Sequence, residues 1–263
     1  NAFNQNMPFD QFTREQLAGD LLPGSTTQQK VASGYNRLLQ TTHEGGLQLK
    51  EYDAIYAADR VRNVSEVWMG ATVGCAQCHD HKYDPYTIKD NYALAAFFAD
   101  IGDRGFSGNS LPTKRPPEII IHNPENLVRI TQLQKDMNIL LSPDKQKKLQ
   151  GFQDRRNRLT STLKKAKAKD KQDLQNKIGA VTKEISGLGT EKEITTYQKL
   201  RRQRIEIEKI GRPTMISQAV KPRTMRVLPR GNWMDESGPV VLPAIPEFLG
   251  QIQSNKDRLN RLD

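Results

Sequence analysis

Cysteine is nearly absent: the 263 residues hold two. At most one disulfide could form, so a disulfide-stapled scaffold is excluded. Aromatic residues make up 6% and all hydrophobic residues 36%, with a mean hydropathy of −0.71. That is lean for a compact globule, so part of the chain is expected as exposed helix or linker. No run of about 18 apolar residues occurs, so no transmembrane helix is encoded. The first residues, NAFNQNMPFD, have neither the basic stretch nor the apolar core of a signal peptide. They also lack an initiator Met, and the last residues, NKDRLNRLD, read as an amphipathic helix cut mid-turn. We expect a piece of a longer chain, so the missing leader says little about compartment. Glycine and proline, 18 and 14, are too few for collagen-like or mucin-like chains.

What is abundant is positive charge, and it is localised. Lys and Arg number 40 against 30 Asp and Glu. Between Glu125 and Arg212 there are 22 Lys/Arg and 11 Asp/Glu; the remainder holds 18 and 19. The basicity belongs to one insert-like segment. A sequence pI near 9.6 invites a nucleic-acid reading, but Phe152 and Tyr197 are the segment's only aromatic residues. Its charges recur at helical spacing, as on a solvated helix face. No specific nucleic-acid partner is expected; a patch for an anionic polymer or acidic partner is the alternative.

Periodicity organises the rest. Asp10 is placed to cap a first helix carrying Phe12, Leu17 and Leu21, closed by Pro23-Gly24. A second short helix is expected over about 26–39, then a loop, TTHEGG, at 41–46. From Glu51 to Met69 apolar residues recur with period 3.6. Thr87 and Asp90 form a capping box for a helix that buries Leu94, Phe97 and Phe98. EIIIH at 118–122 reads as a strand. Leu127 to Leu141 make one helical stripe, and Ser142-Pro143 breaks and restarts it. Leu174, Ile178, Val181, Ile185 and Leu188 step as a heptad seam. Ser186–Gly189 reads as a turn, and Thr190 with Glu193 caps a returning helix of about 31 Å. TMIS at 214–217 and TMRVL at 224–228 look like short strands.

The chemistry sits at 75–79. The two cysteines, Cys75 and Cys78, stand three apart, and His79 follows at once. C-x-x-C-H is the c-type haem attachment pattern. Each thiol adds across one porphyrin vinyl group, and the adjacent imidazole becomes the proximal iron ligand. Three alternatives stay open. A thioredoxin-type pair would want a βαβ context, and none precedes it. Zinc on Cys75, Cys78, His79 and His81 would crowd four ligands into seven residues. A disulfide across two residues would close no long loop.

The stretches PFDQFTREQLAGDLLP, THEGG, EYDAIYAADRV, VWMGATVGCAQCHDHKYDPYTIKDNYALAAFF and PTMISQAVKPRTMRVLPRGNWMDESGPVVLPAIP resemble planctomycete-type cytochrome c-like proteins with PSCyt and PSD domains. The likeness covers about 7–122 and 212–262. It implies a cytochrome-like domain joined through a variable helical segment to a long C-terminal domain, with both ends missing here. It also implies secretion, because haem is attached covalently outside the cytoplasm, and association with polysaccharide and sulfated-glycan utilisation. No reaction follows from it.

For the second axial position, His43, in its glycine-flanked loop, and Met215, in the Thr-Met stretch, are the candidates. His81 reads as a hydrogen-bonding support, Met69 as core, and His122 as a cap or surface residue. Asp80, Lys82, Tyr83 and Asp84 read as a salt-bridged turn. Trp68 and Tyr92 are expected beside the macrocycle.

The expected fold class is mainly α. It comprises a helical cytochrome c-like haem domain at 1–122, a long antiparallel helical (coiled-coil) hairpin at 123–211, and the start of a β-containing domain at 212–263. The expected function is a periplasmic or secreted module with one covalent haem c that passes electrons to a redox partner protein. A second reading is a haem enzyme or glycan-binding module, its cleft lined by Arg104, Glu44 or Tyr83. A third is an assembly scaffold in which the hairpin self-associates or holds a partner.

Overall fold

The computed structural model describes residues 1–42, 46–102 and 116–263. His43, Glu44 and Arg104 lie outside the described residues. The described chain is mainly helical, with two small two-stranded sheets. It divides into two compact units: Asn1–Ile119 with Thr214–Asp263, and Ile120–Pro213. The stretch after 213 therefore packs with the first 119 residues rather than standing as a third body.

In the first unit, α1 (Phe9–Ala18) starts after Pro8, which makes no side-chain cap. Asp10 lies one position inside, in the first turn, where its charge meets the positive end of the helix. α2 (Thr27–Ser33) carries a full capping box from Thr26 and Gln29, then tightens to a 3-10 turn at Gly34–Arg37. α3 (Leu49–Met69) ends at Gly70, in the left-handed region at φ 60°. α4 (Ile88–Phe97) has the expected Thr87–Asp90 box.

The segment after the helical insert completes this unit's core. Ala57 and Val61 of α3, Val73 and Ala95 form one cluster, with Met225 packed on it. Tyr92 of α4 packs with Val227 and Val241. β3 (Met225–Arg226) pairs antiparallel with β4 (Val240–Val241), Met225 opposite Val241. Buried Arg37 donates to the carbonyls of Pro116, Pro117 and Ile216, satisfying three acceptors at once. β1 (Glu118–Ile121) pairs with β2 (Arg212–Met215) where the chain leaves and re-enters.

The second unit holds α5 (Pro124–Leu140), α6 (Pro143–Lys165), α7 (Ala168–Ser186) and α8 (Glu191–Lys209). α5 packs along α8, and α6 along α7. Asn123 caps α5 through the Asn126 amide, and the Thr190–Glu193 box caps α8. Ser142 sits at the start of α6 with Pro143 at the first position, but its hydroxyl makes no cap hydrogen bond. Ser186–Gly189 joins α7 to α8 without laying one on the other. The helices that fold back on each other directly are α6 and α7, joined through Ala166-Lys167. The seam residues Val181, Ile185 and Leu188 enter a core with Met137, Leu141, Leu149, Ile194 and Tyr197. That core gathers where α5 meets α6 and α7 meets α8.

Candidate functional site

The cysteine segment folds as a 3-10 turn, Val73–Gln77, with Cys78 at its end. Three residues per turn eclipse positions i and i+3. Val73 and Ala76 therefore share the inner face, both fully buried. Cys75 and Cys78 share the outer face, both free thiols and both exposed. The spacing that leaves both cysteines exposed also anchors the turn beneath them.

His79 is exposed, and its Nδ1 lies 2.7 Å from its neighbour's carbonyl, Asp80 O. A carbonyl only accepts, so Nδ1 carries a proton, and in the neutral imidazole Nε2 is then the nitrogen with the lone pair. His81 is committed elsewhere. Its Nδ1 accepts from the amides of Asp84 at 2.8 Å and Tyr83 at 3.2 Å. The proton is thus on Nε2, 3.2 Å from Thr72 Oγ1, which in turn donates to Asp84 Oδ2. The His81 amide donates to Tyr86 O at 2.8 Å and closes the loop. Asp80 accepts from the Ile88 amide at 2.8 Å and so holds the first turn of α4. These hydrogen bonds close the turn after the motif, and His81 Nε2 also lies 3.5 Å from Asp84 Oδ2. Lys82 lies over the Tyr83 ring at the surface, and Tyr83 is 82% exposed.

The expected aromatic neighbours separate. Tyr92 is buried against the motif: its hydroxyl lies 3.1 Å from Gln77 O and 3.4 Å from Leu228 O. Burial, and then the charge of Cys78, push its pKa up to about 12. Trp68 instead stacks with Phe9, Phe12 and Tyr35, in a cluster between α1 and the end of α3. Met215 lies in β2, its carbonyl passing against Gly34. The methionine that packs on the cluster holding Val73, at the start of the cysteine turn, is Met225. His122 sits beside Ile210 O in the second unit. Among the described residues no cluster of three or more His, Cys, Asp or Glu is arranged to hold a metal ion, so Cys75, Cys78, His79 and His81 are not gathered as a zinc site.

Pattern reading did not single out Gly231. Its φ is 71°, and a Cβ built there would lie 2.9 Å from Cys78 Sγ. The one signal was its place in a Pro-Arg-Gly turn. Nearby, a cavity of about 430 Å³ is walled by Met225, Leu228 and Trp233. Its edge carries Lys50, Arg223 and Arg226, with Asp53 and Glu236. Lys50 hydrogen-bonds Glu236 at 2.6 Å; that bond, the lysine charge and then Arg226 hold the Glu236 carboxyl below its ordinary pKa.

The arrangement fits a haem attached at one edge. Both thiols face outward from one turn, Nε2 of the adjacent histidine is open, and Gly231 leaves room at Cys78. Residues 1–103 match the family model PSCyt2, described as a protein of unknown function (DUF1549). That match spans α1 through the 3-10 turn after α4 and includes the cysteine motif. Neither the curated proteins nor the solved structures yield a match.

Proposed function

We propose that this chain is a secreted c-type cytochrome module that carries one covalent haem and passes electrons to a redox partner protein. The observation that carries the reading is the shared outward face of Cys75 and Cys78 with His79 Nε2 open beside them. Cys75 and Cys78 would hold the haem as thioethers, each S–H adding across one vinyl group so that a carbon–sulfur bond would form and the hydrogen would go to the other vinyl carbon. Bound haem supplies an iron that cycles between ferric and ferrous states. The chain's part is positional. Val73 and Ala76 seat the turn, Asp80 O fixes the His79 tautomer, and the Nδ1–H bond raises the basicity of Nε2. His81, Thr72 and Asp84 hold the following loop away from the iron ligand.

Secretion follows from the same chemistry, since covalent attachment happens outside the cytoplasm. The distal ligand candidates are His43 and Met215. We read the second unit as a helical hairpin, built from α5 with α8 and α6 with α7, that presents its lysines to solvent. A haem enzyme of glycan metabolism and a scaffold with a structural haem remain the alternatives. The spin state separates them: low-spin iron suits electron transfer, and an open face suits ligand or substrate chemistry.

The test is an absorption spectrum of oxidised and dithionite-reduced protein, with a pyridine haemochrome assay after acid-acetone extraction. Haem that stays with the chain and gives a c-type band supports the proposal. A colourless chain, made where c-type maturation works on a control cytochrome, sinks it.

A further inference from the structure

The cavity beside the cysteine turn has an amphipathic lining, and its walls are tied to the motif at several points. α3 serves as a ruler. Lys50, Asp53 and Ala54 line the cavity. Ala57, one turn on and about 4.5 Å further along the axis, packs with Val61 against Val73. Met225 belongs both to the cavity wall and to the cluster around Val73. Leu228, a second wall residue, offers its carbonyl to Tyr92, whose hydroxyl also reaches Gln77 O, next to Cys78. Gly231, against which Cys78 Sγ sits, is two residues before Trp233. No motif side chain lines the cavity itself; Met225, Leu228 and the chain between Gly231 and Trp233 join it to the cysteine turn.

Its chemistry is specific. Met225, Leu228 and Trp233 form an apolar wall suited to a flat, apolar ring system. At the edge, Lys50 pairs with Glu236 at 2.6 Å, and Arg223 lies 3.8 Å from Asp53. Arg226 donates to the Gly238 carbonyl at 3.2 Å. Three cations against two carboxylates leave one positive charge in excess at the edge of an apolar slot. A planar macrocycle bearing carboxylates matches that combination: the ring takes the apolar wall, and an acid group takes the excess charge.

We infer that this cavity receives the carboxylate-bearing edge of the haem held by Cys75 and Cys78, with Trp233 against the macrocycle and Arg226 facing a propionate. The inference rests on the haem reading above and adds residues that lie outside the attachment motif. It also makes the segment after 213 part of the haem site.

The test uses the full chain in its haem-bearing form. Proton resonances of the Trp233 indole N–H and the Met225 methyl are compared between ferric and ferrous states, with assignments from Trp233→Phe, Trp68→Phe and Met225→Leu. Paramagnetic shifts fall with the cube of distance from the iron, so the Trp233 and Met225 resonances should move strongly. The midpoint potential gives a second readout that needs no assignment. Arg226→Gln should lower it without loss of haem, Arg226→Lys should restore it, and the exposed Lys50→Gln should lower it less. A haem-bearing chain whose Trp233 and Met225 resonances coincide in the two oxidation states overturns this inference alone. A potential unchanged in both Gln variants does the same. A chain without haem removes the reading beneath it as well.

Discussion

Arg261 reaches across the first unit to Asp100, Nε to Oδ1 at 2.9 Å, from 161 positions further along the chain. The same guanidinium grips Asp20 with two bonds of 2.8 Å, and Arg261 is 9% exposed. Burial works against its charge, but the hydrogen bonds and fields of Asp20 and Asp100 outweigh it and raise its pKa. Both carboxylates lie in the stretch that matches PSCyt2, and the arginine lies beyond it. Removing one partner of such a buried cluster strands the other charges. Arg261→Ala should lower unfolding stability by about 3–5 kcal/mol, read by urea denaturation. A change under about 1 kcal/mol would mean that water already compensates these carboxylates.

Gly231→Ala tests the proposed haem site from outside the cysteine motif. Its φ of 71° puts it in the left-handed region, and the new Cβ would press on Cys78 Sγ at 2.9 Å. The backbone cost is about 1–2 kcal/mol. The sulfur is the end of a movable side chain, so it should yield by turning away. The expected outcome is a folded chain with a reduced share of doubly attached haem, measured by intact mass and pyridine haemochrome. Full attachment at normal yield would show that Cys78 tolerates the displacement.

The loop after the motif should answer to Asp80. Asp80→Ala removes the acceptor for the Ile88 amide at the start of α4. Loss of such a cap costs about 0.5–2 kcal/mol. Thermal unfolding should fall accordingly while the thiols stay as reactive as before. His81→Ala leaves the Tyr83 and Asp84 amides without their acceptor. It should loosen the loop, seen as faster proteolysis between Lys82 and Tyr86, without loss of haem. Loss of haem in His81→Ala would instead make His81 an iron ligand.

Tyr92 sets an alkaline limit. Its folded pKa is raised from 10.0 to about 12 by burial and then by Cys78. The folded state therefore holds the proton more tightly than the unfolded chain does. This contribution is fully present below pH 10 and is lost as pH rises toward 12. Tyr92→Phe should flatten the fall in stability across that window. It should also lose about 1 kcal/mol at neutral pH, where the hydroxyl's hydrogen bonds are gone. An unchanged alkaline slope in equilibrium unfolding would place the titration elsewhere.

Much of this could be read locally. The capping boxes at Thr26–Gln29, Thr87–Asp90 and Thr190–Glu193 span three residues each, and a cap needs only its own turn. C-x-x-C-H was legible for the same reason: a three-residue spacing on a tight turn brings both sulfurs to one face. The partners of Trp68 were not legible, because an aromatic residue near a motif in sequence carries no information about which helix it meets. Phe9 and Phe12, on α1, took it. The turn at Ser186–Gly189 is present, but the fold-back of one helix on the next falls at Ala166-Lys167, because Gly and Ser mark a helix break equally well whether or not the chain reverses.

Local chemistry thus established the helices, their caps and the Cys-x-x-Cys-His motif, since each depends on neighbours a few residues away. What it left open was which distant segments close around that motif. Gly231 against Cys78, Met225 on the Ala57–Val61–Val73–Ala95 cluster and Arg261 between Asp20 and Asp100 each join residues on opposite sides of the helical insert. Such contacts follow from burial and charge pairing in the assembled core. A linear pattern cannot encode them, because any apolar or charged residue of suitable size is an equal candidate until the chain folds.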